Sequence, residues 1–405
     1  MNSPKRTVGL MTLSNVINFG SALQTYATIK TVEKAGFDCT LIDYAYPSAW
    51  HINNAPGGEN YTSGNKLKSF IKTVLYKIGL LNMACLLWML LHRRKKVVVE
   101  RIFREFLEKL PITEKMYDRK SILKIPPEFD IYMTGSDQTW NPRYMHTDYS
   151  FLLNFAPDKA PKISYAASFG ATEILPAYTE VYKRYLMRYD RISVRESTGV
   201  PLVKNLTGQN AVHVPDPTLM LNGCEWNKIN KNKLNLPEKY IFAYILNYVF
   251  NPYPKVCDLL DHLSQISGLP VVFYGSTPRE NYLNVDDSMG PEGFVECFAN
   301  ASFVVTTSFH GSAFSVNFEK DFLAVLNHTS SKDDRVKSFL RTVGLENRGI
   351  ILPETDILSI TAADMNTDHT RSREILNEMR EKTFEYLKEA LEFSCRKCEQ
   401  GECNG

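Results

Sequence analysis

The chain has 405 residues, with 47 Lys and Arg against 45 Asp and Glu for a formal charge of +2, and 44% of its residues are hydrophobic. With Gly and Pro at ordinary usage, 21 and 20 residues, this balance excludes disordered, collagen-like and strongly basic nucleic-acid-binding chains. The length exceeds what one hydrophobic core usually serves, so two domains are expected.

The near-neutral total hides a segregation of charge. Between Tyr61 and Lys124 there are 15 Lys and Arg against 5 Asp and Glu, a local +10 that leaves −8 for the remainder. Charge divided this way steers anionic partners. The opening residues lack the apolar core and small-residue cleavage site of a signal peptide. Eight scattered cysteines form no disulfide framework. A reduced, cytoplasmic protein is expected.

The opening reads strand, loop, helix, strand: Thr7–Leu13, the turn-rich Asn15–Ser21, Ala22–Ala35 stopped by Gly36, then Cys39–Tyr44. This βαβ unit predicts a parallel sheet with ligand chemistry in the loops after the strands. A helical, basic insertion over about 53–125 interrupts the rhythm. It holds an apolar run, Ile78–Leu91, followed by His92 and the basic Arg93–Lys96. At 14 residues that run is short of the roughly 20 needed to span a bilayer. It reads either as a buried helix or as an in-plane helix with its cations on anionic headgroups. A helix with Ile102, Phe103, Phe106, Leu107 and Leu110 on one face follows.

Alternation then resumes, with strands at Asp130–Thr134, Lys162–Ala167, Arg191–Val194 and Val212–Val214 and a helix at Tyr178–Tyr189. The polar stretch 223–237 reads as a linker. Beyond it come a strand at Tyr240–Leu246, a helix at Tyr253–Ser267, a strand at Pro270–Tyr274, a helix near Gly293–Ala299, strands at Phe303–Thr306 and Phe322–Leu326, and a terminal helix at Arg371–Phe393. The expected organisation is α/β, with Rossmann-like domains over 1–222 and 238–360 and a terminal helix with a cysteine-containing tail over 361–405.

The chain carries no HExxH, Walker loop, GxGxxG or GxSxG, which argues against P-loop NTPases, dinucleotide-dependent oxidoreductases and α/β-hydrolases. Polar clusters at strand ends remain. In Thr306-Thr307-Ser308-Phe309-His310-Gly311-Ser312, a helix N-terminus favours anions and His310 offers an imidazole, the side-chain type best suited to hand a proton to substrate. The alternative for His310 is a capping role or a bond to a nearby carbonyl. Arg195, after the strand RISV, offers a bidentate fork for carboxylate or phosphate; its alternative is an ion pair with Glu196 or Asp190. In Gly135-Ser136-Asp137-Gln138-Thr139-Trp140-Asn141, Gly135 permits close approach, Asp137 can take a proton or a sugar hydroxyl, and Trp140 offers a face to a sugar ring. An Asx-type turn with Asp137 as helix cap is the other reading. Asn18-Phe19-Gly20-Ser21 is a further anion-binding candidate by the same helix-terminus physics. Cys395, Cys398 and Cys403 lie close together in sequence but lack a nearby fourth ligand, so no metal is expected.

NFGSALQTYA, GSDQTWN, YAASFG, VREST, VPDPTLML and TTSFHGSAFSVNFEKDF, in this order, resemble the polysaccharide pyruvyl transferase family from about Val8 to about Leu345. The resemblance implies a glycosyltransferase-B-like fold, with two Rossmann-like domains facing a cleft, and transfer of pyruvate from phosphoenolpyruvate onto a sugar as a ketal. Arg195 and His310 fall on positions for donor binding and catalysis, and Asp137 is assigned as base or acceptor ligand. Asn18, Gly20, Ser21, Gly135, Ser136, Gln138, Trp140, Ser308, Gly311 and Ser312 are the expected substrate-binding set. No cofactor is expected beyond the donor substrate. The acceptor is a surface glycan, capsular or exopolysaccharide, or its lipid-linked precursor, met by a peripheral protein on the inner face of the membrane through residues 78–96. The family commonly places an Arg where Ser308 stands and often an Asp where Ser21 stands, so Lys320, Lys332 and Arg335 become candidates for the missing cation. A nucleotide-sugar glycosyltransferase of the same architecture and a non-catalytic glycan-binding subunit are the alternatives.

Overall fold

The computed structural model describes residues 5–45, 97–142, 148–231, 233–247, 250–276, 278–327 and 335–399. The apolar run Ile78–Leu91, the basic Arg93–Lys96, Lys332 and Cys403 lie outside the described residues, as does the side chain of Cys398. No helix among the described residues is long and apolar enough to cross a membrane. The chain forms two compact units, residues 1–214 with 387–405, and residues 215–386.

The first unit holds β1 (Thr7–Met11), α1 (Phe19–Lys34), β2 (Asp38–Leu41), α2 (97–107), α3 (Arg119–Lys124), β3 (Ile131–Thr134), β4 (Lys162–Ser164), α4 (Pro176–Leu186), β5 (Ile192–Val194), α5 (Gly199–Thr207) and β6 (Ala211–His213). Its strands are parallel, in the order β2-β1-β3-β4, with β5 and β6 paired beside them. Bridges Ile163↔Arg191 and Ala167↔Val194 carry the order on from β4 to β5. The expected strand Lys162–Ala167 stops at Ser164, because Ala166 turns to φ +54. There the Ser164 and Ser193 hydroxyls bond each other's backbone instead, with Ser164 Oγ donating to the Ser193 carbonyl at 2.9 Å and Ser193 Oγ to the Ser164 carbonyl at 2.8 Å.

Helix α1 begins earlier than expected. Asn18, extended at φ −154, accepts the Ser21 amide and starts the helix at Phe19. Of the apolar face expected after the basic run, Phe103, Phe106, Leu107 and Leu110 are buried. Phe103 and Phe106 pack on α1 through Phe19 at 5.3 Å and Tyr26 at 6.2 Å between ring centroids.

The second unit holds α6 (Gly223–Asn227), β7 (Ile241–Tyr244), α7 (Lys255–Ser267), β8 (Val271–Tyr274), β9 (Leu283–Val285), α8 (Gly290–Asn300), β10 (Phe303–Thr306), α9 (Phe309–Asn317), β11 (Asp321–Val325), α10 (Arg335–Thr342) and β12 (Gly349–Ile350). All six strands are parallel, in the order β12-β11-β10-β7-β8-β9. Counted along this unit that is 6-5-4-1-2-3, the doubly wound order, and it reverses between β7 and β10. The continuous apolar runs IFAY and FVVT are buried throughout, as strands covered on both faces require.

The units divide at Val214 and Pro215, ahead of the expected boundary at 222. Segment 216–220 is fastened inside the second unit: Trp226 Nε1 and Asn317 Nδ2 donate to the Thr218 carbonyl at 3.0 and 2.8 Å, and Arg380 Nε to that of Leu219 at 2.7 Å. The stretch read as a linker, 223–237, is opened by α6 behind a reciprocal Asn222–Glu225 cap. It is tied down where the amides of Lys233 and Leu234 reach the buried Glu296 carboxylate, each at 2.9 Å. The terminal helix α11 (Thr370–Glu399) is shared: its residues up to Tyr386 belong to the second unit, and those from Leu387 on to the first.

Candidate functional site

In a parallel sheet the loops after neighbouring strands diverge where the strand order reverses, and ligands lodge there. Each unit has such a point, and each collects candidates.

In the first unit it lies between β1 and β3. Thr12 Oγ1 donates to the Ser136 carbonyl at 2.8 Å and accepts from Gln24 Nε2 at 2.9 Å, which joins the two strand ends to α1. A Cβ on Gly135 would lie 2.8 Å from Leu10 and 2.9 Å from Thr12, so this glycine permits close packing of strand ends. Asp137 adopts φ +69, a left-handed conformation that Asp tolerates better than most residues. Its carbonyl accepts the Thr139 and Ser168 amides at 2.7 and 3.0 Å, which holds the turn.

The Asp137 carboxylate is the hub. Oδ2 takes the Ser21 hydroxyl, Oδ1 takes the Gln138 amide at 2.8 Å, and Arg195 Nη1 lies 3.9 Å from Oδ1. Arg195 Nε also donates to Glu196 Oε1 at 3.0 Å, an oxygen shared with the Ser168 hydroxyl at 2.8 Å. The ion pair with Glu196 is therefore present, and Arg195 joins the Asp137 cluster at the same time. Asn18, Gly20 and Ser21 occupy the cap and first turn of α1, so the structure brings them together with Gly135, Ser136, Asp137, Gln138 and Arg195. Gln138 accepts from Asn141 Nδ2 at 2.5 Å.

Trp140 does not offer a face to a sugar. It is fully buried, donates Nε1 to the Phe151 carbonyl at 3.1 Å, and packs on Phe169 and Tyr189. Its role is in the core.

In the second unit the point lies between β7 and β10. Thr306 Oγ1 donates to the Tyr244 carbonyl at 2.9 Å and accepts the Ser308 amide at 3.0 Å. Thr307 Oγ1 both donates to the Leu246 carbonyl, at 2.8 Å, and accepts the Leu246 amide, at 2.7 Å. These hydroxyls lock the two loops together. Ser308, at φ −101, precedes α9, but its side chain caps no amide and the first turn holds no acid. The N-terminus of α9 thus keeps its capacity for anions.

His310 lies in that first turn with 18% of its side chain exposed. Its Nε2 is 3.7 Å from Oδ2 of the buried Asp216. Gly311 lets the helix lie on the strand, since a Cβ there would fall 2.1 Å from Thr306 Oγ1. Ser312 is buried, and its hydroxyl donates to the Ser308 carbonyl at 3.1 Å. Gly311 and Ser312 thus serve the packing of α9.

The candidates for a compensating cation separate by topology. Lys320 follows α9 and precedes β11, so it occupies the N-terminal edge of the sheet, away from His310. Burial lowers its pKa. Arg335 begins α10 on the C-terminal side of β11, one helical turn before Phe339. The Phe339 ring lies 5.4 Å from that of Phe309, next to His310, and residues four apart share a helix face.

Among the described residues no group of three or more His, Cys, Asp or Glu is placed to hold a metal ion. Asp216, Thr12 and Gln24 were missed as site residues. Asp216 stands in the quoted VPDPTLML motif, which was the available signal, whereas Thr12 and Gln24 carry none in sequence.

Two consecutive Rossmann-like units, with polar clusters at both switch points, define an α/β protein of the doubly wound class. The sequence model for "Polysaccharide pyruvyl transferase" matches residues 18–329, and the chain belongs to that family. It is accordingly a polysaccharide-modifying transferase. A search of the curated proteins returns no match. Similar solved structures include a UDP-GlcNAc 2-epimerase from Methanocaldococcus jannaschii, 9% identical, covering 93% of each chain with a TM-score of 0.49. Another is the glycotransferase of kitacinnamycin, 10% identical, covering 97% of this chain and 100% of that one with a TM-score of 0.48.

Proposed function

We propose that the protein moves pyruvate from phosphoenolpyruvate onto two hydroxyls of one sugar, as a ketal, on a surface polysaccharide or its lipid-linked precursor. The reading is carried by the start of α9, where an uncapped helix N-terminus and a partly exposed His310 stand at a switch point inside the family match. Phosphoenolpyruvate carries a carboxylate and a phosphate, and helix N-termini and cations are what such a donor needs. With Ser308 in place of a cation, Arg335 takes that part.

The chemistry follows from charge. His310 protonates the methylene carbon of the donor, and the adjacent carbon becomes cationic. A sugar hydroxyl attacks that carbon and gives up its proton, with Asp137 as acceptor. The carbon–oxygen bond to phosphate breaks and phosphate leaves. A second hydroxyl of the same sugar closes the ketal, and its proton goes to phosphate. Arg195 is the clamp for a donor oxyanion, its fork oriented by Glu196 and Asp137.

The test is acceptor-dependent release of phosphate from phosphoenolpyruvate by the purified chain. His310→Ala is expected to lower turnover by about 10²-fold or more. Consumption of a nucleotide-sugar in place of phosphoenolpyruvate would replace this reading with a glycosyltransferase. A glycan-induced rise in melting temperature without any donor-induced rise would mark a binding subunit, because a ligand stabilises only what it binds. The basic run Arg93–Lys96 beside Ile78–Leu91 supports a peripheral position on anionic lipid. Liposome flotation that weakens with salt checks it.

A further inference from the structure

We infer that Asp216 is the positioning residue for His310, holding the ring by Nε2 and leaving Nδ1 as the nitrogen that meets the ligand. The inference rests on the proposed part of His310 in proton transfer.

The two oxygens of Asp216 have separate tasks. Oδ1 accepts the Thr218 amide at 2.9 Å and the Thr218 hydroxyl at 2.8 Å, which closes the turn Pro217–Met220. Oδ2 faces His310 Nε2 at 3.7 Å, and the Asp216 side chain has no exposed surface.

The ring shows the complementary pattern. His310 Nε2 is buried and makes no hydrogen bond, yet the side chain keeps 18% of its surface. The exposed edge is therefore the one that carries Nδ1. With a carboxylate opposite Nε2, the imidazolium gives up its Nδ1 proton to the donor, and the neutral ring left behind keeps its proton on Nε2. The 3.7 Å gap is longer than a hydrogen bond; such contacts in ligand-free enzymes commonly shorten in the reacting complex.

The separation is set by the body of the second unit. His310 begins α9 and Asn317 ends it, and Asn317 Nδ2 donates to the Thr218 carbonyl at 2.8 Å. Trp226 and Arg380 hold the same turn from two other helices. Helix and carboxylate are thus registered against each other away from the ligand.

The test uses the full chain labelled with 15N-histidine, with tautomer-sensitive 1H–15N spectra of the imidazoles and His310→Gln to assign the signal. The expected wild-type signal is the Nε2–H form. Asp216→Asn, which keeps an acceptor for Thr218, redistributes that tautomer. Thr218→Val, which disturbs the turn and spares Oδ2, leaves it in place. Turnover of Asp216→Asn falls on the order of 10²-fold with little change in KM. An unchanged His310 signal in Asp216→Asn, or an equal change in Thr218→Val, overturns the inference. Full turnover in His310→Ala would instead sink the proposed reaction, since the spectra report the pairing without it.

Discussion

Gly311→Ala isolates the close contact that places the His310 turn. The new methyl would fall 2.1 Å from Thr306 Oγ1 and 2.9 Å from its Cβ, closer than any real contact, so the hydroxyl must move. Moving it gives up two hydrogen bonds, to the Tyr244 carbonyl and from the Ser308 amide, at about 1 kcal/mol each. Crowding a packed site adds about 1–3 kcal/mol. The better helix propensity of Ala returns about 1 kcal/mol. The net expectation is a loss of about 2–4 kcal/mol in urea unfolding, as a lower midpoint at unchanged slope. In a Thr306→Ala background the crowded atoms are gone except Cβ, and the same substitution should cost about half as much; the cycle measures the coupling. A Gly311→Ala protein as stable as wild type, or an equal cost in both backgrounds, would show that this contact does not set the height of α9 over β10.

Two other measurements bear on the reading of single residues. Trp140→Phe removes the bond to the Phe151 carbonyl and leaves a gap beside Phe169 and Tyr189; it should cost about 1–3 kcal/mol of stability with acceptor KM unchanged, and a KM effect without a stability loss would return Trp140 to the ligand. Burial, with Glu33 adding to it for Cys39 and Glu296 for Cys297, pushes both thiols well above their ordinary pKa. A raised pKa means less thiolate at every pH below it, so peptide-resolved alkylation in mild alkali should label the exposed Cys224 and spare these two until the chain unfolds.

Much of the α/β rhythm was legible because buried parallel strands are short apolar runs: Phe303–Thr306 has the same ends in the structure as in the sequence reading. The turn around His310 was legible for a related reason, since small polar residues between an apolar run and a helix mark a strand end. The strand order was hidden. Nothing local in DIYMT says that β3 pairs with β1 and bypasses β2, because pairing partners lie far apart in the chain. The meeting of Ser21 with Asp137, 116 residues apart, was hidden for that reason too. Trp140 was misplaced because an indole suits a core and a sugar platform equally until its burial is known. Asn18 displaced the start of α1 because a cap residue also reads as loop.

The sharing of α11 between the units has a consequence for synthesis on the ribosome. Leu387, Ala390 and Leu391 are buried, and the Phe393 ring lies 3.7 Å from the Arg191 guanidinium, so the first unit is completed by residues that follow the whole of the second. Domains usually fold as they emerge, N-terminal first. Here the N-terminal unit waits with part of its apolar surface uncovered while the second is made, and the last helix closes it afterwards. Translation past Tyr386, rather than past Val214, is the point at which the first half of this transferase can be whole.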